Sequence, residues 1–429
     1  MKARYACDYF QLDLAGLTQL PAGLTPLSPD ALAGAEKAMK ARFASKKVGF
    51  YDWPAEYPAQ ELELLEKSAR KLENQFEGGL MIGIGGSYLG GRALIDAVAE
   101  PRVEFPLFWL SNVDPSAIAR VERQLGTRQV ATVVMSKSGG TTETLAGFFY
   151  FSGRLPTDGY MVITDPQNGY LRKVATENGW LSLSIPQNIG GRFSVLTSVG
   201  LFPARLAGID PRRVLQGAQA VRKWLESCAP TENPAYLLAQ YLYLWDSQGY
   251  KNQYLMPYWE NMQLFADWFV QLWGESLGKR LAEDASKAVG PTPVGALGST
   301  DQHSLLQLFQ EGPRDKVVGF IDVAGQSAAS GGTVPKPAFD PLEHKTLCGQ
   351  SFVRLSHLAC VATQKSLSEG GVPTYRLILP TLTPEAMGAL FFFYETACAF
   401  AGELYKVNAF DQPGVESTKR LWLQSLSQV

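Results

Sequence analysis

The sequence predicts an α/β fold in which parallel strands lie between layers of helices. Three observations point there. From residue 79, short apolar runs alternate four times with helix-compatible segments, the chain order of a parallel sheet with crossover helices. The runs are short and rich in apolar residues, as buried strands are. The second half of the chain repeats the theme less regularly.

Taken in order, strands are expected at GLMIGIGG (79–86), FPLFWLSNV (105–113), QVATVVMSKS (129–138), YMVITD (160–165) and WLSLSIP (180–186). The first three are followed by helical segments, SYLGGRALIDAVAE, DPSAIARVERQL and TTETLAGFFYFSGRL. A fourth, DPQNGYLRKVATENG, follows with Asp165 and Pro166 placed as its start. In the second half NQYLMPYW (252–259), KVVGFIDV (316–323) and YRLILPTL (375–382) are expected as strands. DVAGQSAASGGTVPKPAFDP (322–341), rich in Gly, Ser and Pro, is expected as an exposed loop. A domain break is placed near residue 212. It separates residues 1–212, a first domain with an N-terminal helical extension, from 213–429, a second domain with C-terminal helices.

Composition narrows the function. Of 429 residues 46% are hydrophobic and 19% charged, a globular balance with enough chain for two domains. The formal net charge of −2, without a basic block, argues against a surface that tracks nucleic acid. Five scattered cysteines with no C-x-x-C pair suggest reduced thiols in a cytoplasmic protein, with neither a disulfide framework nor a zinc site. The N-terminus lacks the apolar core of a signal peptide. The most apolar run, residues 386–405, carries Glu395 and Glu403, so it is expected as a buried helix and not a membrane span.

Two loops suit an anion. Gly83, Gly85 and Gly86 crowd the end of the first strand, and Ser87 is placed to start a helix whose unpaired amides favour negative charge. The spacing is not G-x-G-x-x-G, and no acidic residue closes the next strand, which disfavours a nicotinamide cofactor. The third strand runs into SKSGGTTET, where Ser136, Ser138, Thr141 and Thr142 set four hydroxyls around Lys137.

Chemistry is expected further on. Arg192, after two glycines in NIGGRFS, suits a developing oxyanion. Gln271 and Glu275 are four apart on one helix, so they face one side, and Glu275 is a candidate base. His303 stands just before another helix. Asp411, Gln412, Glu416 and Lys419 gather around a Pro-Gly turn.

In the order GIGGS, SKSGGTTET, GGRFS, QLWGESLGK, DQHSLLQL and FDQPGVESTK, these segments resemble the phosphoglucose isomerase family from about residue 50 to 420. The resemblance implies two sugar-isomerase domains, each a three-layer αβα sandwich, in a homodimer that interconverts glucose 6-phosphate and fructose 6-phosphate without metal or organic cofactor. It implies a phosphate pocket of Ser136, Lys137, Ser138 and Thr141, with Gly86 and Ser87 lining the sugar side. Glu275 matches the base that moves a proton between C2 and C1, and Arg192 the enediolate's partner. His303, reaching in from the partner subunit, and Lys419 match the residues assisting ring opening. Gln271 and Gln412 match substrate-contacting glutamines. Two departures stand out: Gly140 replaces the side chain that family members often carry there, and ESTK (416–419) replaces the usual ELGK. A broader isomerase accepting mannose 6-phosphate fits the same loops. A sugar-phosphate sensor without chemistry would need those loops but not Glu275, Arg192 and His303 together.

Overall fold

A computed structural model describes residues 3–18, 20–21, 23–325 and 332–426. The chain opens with a short hairpin, β1 (Arg4–Ala6) and β2 (Gln11–Asp13). It then lays down β3 (Gly79–Ile82), β4 (Leu107–Leu110), β5 (Ala131–Ser136), β6 (Tyr160–Thr164) and β7 (Leu181–Ser184). These five strands match the five expected ones and pair in parallel in the order β4-β3-β5-β6-β7. Alternate side chains leave a strand on opposite faces. Leu80 and Ile82 therefore join one apolar cluster with Val134 and Phe148, while Met81 joins another with Val133 and Met135. Helices cover both faces, which is why all six residues of β5 are buried.

The winding of this sheet reverses at β3, with β4 on one side and β5 on the other. Ligands of open parallel sheets sit beyond the carboxyl ends of the strands at such a reversal. The glycine-rich loop after β3 and the hydroxyl-rich loop after β5 flank that crevice.

The second sheet contains β8 (Asn252–Pro257), β11 (Thr292–Gly295), β12 (Lys316–Val323) and β13 (Thr374–Leu379), mutually parallel, while β9 (Lys279–Arg280) and β10 (Ala288–Val289) form a separate ribbon. Two features depart from the expectation. First, β2 pairs antiparallel with β13, so the chain's first residues complete the second sheet, which is mixed and not purely parallel. Second, β11 contains Pro293, which reads as a loop in sequence but is tolerated on an edge strand.

Asp165 and Pro166 do not start a helix. The Asp165 carboxylate accepts the amides of Gln167 and Asn168 at 2.8 and 2.7 Å, closing a turn, and the helix begins at Tyr170. Ser87 likewise belongs to a short 3₁₀ turn, and the helix proper starts at Leu89. The apolar run near the C-terminus forms the helix Pro384–Leu404, buried along most of its length, with Glu395 fully enclosed. Among the described residues no helix is long and apolar enough to cross a membrane. Of the expected loop at 322–341, residues 326–331 lie outside the described residues; Thr333 beyond them bridges Ser351.

Candidate active site

At the β5 end the hydroxyls converge. Ser136 Oγ lies 2.8 Å from Thr141 Oγ1, and Ser138 Oγ is 3.5 Å from both. Thr141 holds the N-cap position of the helix Thr142–Ser152 but makes no side-chain cap, so its hydroxyl stays with the loop. Gly140 N donates to Ser138 Oγ, so the residue without a side chain still contributes its main chain. Lys137 Nζ donates to the Gln187 carbonyl at 3.0 Å. Burial pushes the Lys137 ammonium below its ordinary value; Asp165 opposes that and Arg192 adds to it. A cation already strained by burial and a second cation gains from a dianion placed between them.

Gly85 sits at φ +57°, in the left-handed region where glycine is favoured. Its neighbour Gly86 packs against the main chain of Gly191 and Arg192, so a methyl group there would overlap the Gly191 carbonyl and meet the Arg192 amide at 2.9 Å. The loop after β3 thus rests directly on the turn that presents Arg192.

Arg192 is 2% exposed, and all three of its side-chain nitrogens are bonded. Nε donates to Ser276 Oγ at 2.7 Å, Nη1 to Gln412 Oε1 at 2.9 Å, and Nη2 to the carbonyls of Ala409 and Asp411. A guanidinium has five N–H groups. Nη1 is also ion-paired with the Glu275 carboxylate, 3.5 Å from Oε2. Burial lowers the Arg192 pKa from its ordinary value, and the Glu275 carboxylate opposes the shift.

Glu275 lies in the last turns of the helix Gln263–Leu277, whose Phe265, Trp268, Phe269, Leu272 and Trp273 are buried. That packing fixes the helix while the carboxylate keeps 25% of its side chain open. Gln271 Nε2 reaches Glu275 Oε2 at 3.5 Å, and Gln271 Oε1 is buried with no partner among the described residues, an acceptor ready for a ligand hydroxyl.

The structure therefore brings together Gly86, Arg192, Gln271, Glu275 and Gln412, and it groups Ser136, Ser138 and Thr141 beside Lys137. Two predicted residues stand apart. His303 is exposed in the first turn of the helix Gln302–Glu311, with no side-chain hydrogen bond among the described residues. Lys419 lies on the helix Glu416–Leu426, which has no buried residue, and its Nζ bonds Glu416. Ser276 was not legible as a site residue: its contact with Arg192 spans 84 positions, and nothing local to a serine in an amphipathic helix signals it.

A phosphate-suited crevice at a sheet reversal, with a carboxylate and an arginine across it, places the chain among α/β proteins built for small phosphorylated ligands. The family model for phosphoglucose isomerase matches residues 73–428. Glucose-6-phosphate isomerase of Carboxydothermus hydrogenoformans is 37% identical over 87% of this chain and 84% of its own. The enzyme of that name from Thermus thermophilus is 38% identical over 81% of this chain and 83% of its own. Among solved structures, a hypothetical protein from Thermus thermophilus superposes with a TM-score of 0.84 at 35% identity, covering 97% of this chain and 99% of that one. A glucose-6-phosphate isomerase from Chlamydia trachomatis, 22% identical, shares the fold with a TM-score of 0.80 over 99% of this chain and 90% of its own. The chain belongs to the phosphoglucose isomerase family.

Proposed function

We propose how this chain carries out its reaction, the interconversion of glucose 6-phosphate and fructose 6-phosphate. Ser136, Ser138, Thr141 and Lys137 hold the phosphate, and Gly86 and Ser87 line the sugar. His303 and Lys419 open the ring: a proton goes to the ring oxygen and the anomeric hydroxyl proton is taken up. Glu275 then removes the proton from C2 of the open aldose, and the carbonyl oxygen at C1 gathers the charge. Arg192 offers Nη1, beside Glu275, to the resulting enediolate. The O2 hydroxyl proton passes to O1, the proton on Glu275 returns to C1 as the C2 carbonyl forms, and the ketose closes. Gln271 and Gln412 orient the sugar hydroxyls.

One observation carries this reading: Arg192 Nη1, held by Gln412, is ion-paired with Glu275 Oε2 at 3.5 Å. A base and an oxyanion donor so close together suit proton transfer next to a carbonyl. The protein acts as a cytoplasmic homodimer of two-domain subunits, divided near residue 212 but with the 4–13 hairpin attached to the second sheet. His303 serves the neighbouring subunit. The exposed apolar side chains Leu308, Phe352 and Leu358, in the same half as His303, support a covered face there. The direct test is formation of glucose 6-phosphate from fructose 6-phosphate in a coupled assay with EDTA present. Sustained turnover is expected; a requirement for added metal would overturn the cofactor-free mechanism.

A further inference from the structure

We infer that Lys279 is a positioning residue for this reaction: it holds the 408–411 turn so that Arg192 presents Nη1, beside Glu275, to the enediolate. The inference rests on the reading of Arg192 as oxyanion partner.

Lys279 follows Glu275 by four residues and would pass for a phosphate ligand. Its surroundings say otherwise. The side chain is 9% exposed, and Nζ donates to Asn408 O at 3.2 Å, Asp411 Oδ1 at 2.9 Å and Asp411 O. An ammonium has three protons, so none remains for substrate. The same turn is closed internally, with Asn408 Nδ2 on Asp411 Oδ2 at 2.8 Å and Phe410 N on Asn408 Oδ1 at 3.2 Å. Its carbonyls at Ala409 and Asp411 take both N–H groups of Arg192 Nη2, and the next residue, Gln412, takes one from Nη1. Ser276 takes Nε. The segment 275–279 thus carries the base, grips the guanidinium directly through Ser276, and grips it indirectly through Lys279 and the turn. With the ammonium gone, the turn loses its tie to this segment, and Arg192 loses the fixed acceptors that aim Nη1. The phosphate loop belongs to β5 and is untouched.

The test compares full-length Lys279→Met and Lys279→Arg with the parent chain. Each is assayed for turnover and for binding of two compounds: a sugar-acid hydroxamate phosphate, whose anionic head imitates the enediolate, and a hexitol 6-phosphate, which lacks that head. Lys279→Met is expected to lower kcat about ten- to a hundred-fold, the scale of loss from a small misplacement of a reacting group, with KM changed by no more than about two-fold. The enediolate mimic weakens by a similar factor and the hexitol phosphate does not, so the ratio of the two affinities moves. Lys279→Arg restores most of both. Should Lys279→Met fail to fold, Asp411→Asn removes the charged partner while leaving the carbonyls, and the same ratio is read. Parallel loss of both ligands, or an unmoved ratio, overturns the positioning role. A parent chain that binds neither compound overturns the functional reading instead.

Discussion

Glu275 is held by a helix whose apolar face is buried, yet its carboxylate stays open on one side and faces Arg192 on the other. If it carries the proton, Glu275→Gln keeps the shape and removes proton acceptance, and turnover falls ~10²–10⁴-fold. Affinity for a hexitol 6-phosphate should hardly change. Near-normal turnover would remove Glu275 from the mechanism. A second glutamate behaves in the opposite way. Glu395 is fully enclosed in the helix Pro384–Leu404, both carboxyl oxygens lack partners among the described residues, and burial raises its pKa well above the usual carboxylate range. In the unfolded chain the group titrates near pH ~4.3. Between that pH and the raised folded value the native state holds a proton that the unfolded state gives up, so this residue weakens the fold progressively as pH rises through that window. Below it the penalty vanishes. Glu395→Gln should therefore gain stability relative to the parent at pH 8 and lose that gain near pH 4 in urea titrations. A difference independent of pH would mean that the Glu395 carboxyl titrates alike in the folded and unfolded chain.

Between elements, the contact that matters most is the one between the loop after β3 and the turn before Arg192. Gly86→Ala would push the Gly191 carbonyl and the Arg192 amide away. Overpacking of this kind costs ~1–3 kcal/mol, and here the strain falls on the turn that carries the oxyanion partner. A drop in kcat larger than the drop in melting temperature explains is expected. Equal kcat in Gly86→Ala would show that the close approach has no catalytic consequence. The same contact shows where sequence stops being informative. The five strands β3–β7 could be read from composition because both faces of their sheet are covered, which makes each a short apolar run. β1, β2 and β11 could not, since three-residue strands carry no period and Pro293 mimics a loop. Gln271 beside Glu275 follows from helical spacing. The joining of Arg192 to Ser276 and to the 408–412 turn does not, because it is made between distant segments that only the packed fold brings together. The place of Lys419 on an unpacked helix is equally silent in a motif.

At the scale of the whole molecule, the question is whether one chain contains a complete site. Within the described residues His303 is exposed and bonds to nothing through its side chain, although Gln302 next to it is tied to Thr363. A histidine can both donate and accept protons near neutral pH, which suits ring opening, but only if it reaches a site. The same half of the chain exposes the apolar side chains Phe339, Leu342, Leu347 and Phe352. A two-fold dimer would cover such a face and carry each His303 into the neighbour's cleft. Two inactive variants test this. His303→Ala is expected to slow glucose 6-phosphate turnover while sparing proton exchange on a four-carbon aldose phosphate too short to form the usual ring. Mixed with Glu275→Gln and reassorted, its subunits form heterodimers in which one site is doubly defective and the other has both intact residues. About a quarter of all sites should then be active at equal mixing, since half of the dimers are mixed and each has one good site. No recovery on mixing would mean that each site is completed within its own chain, and equal loss on cyclic and open substrates would make His303 structural.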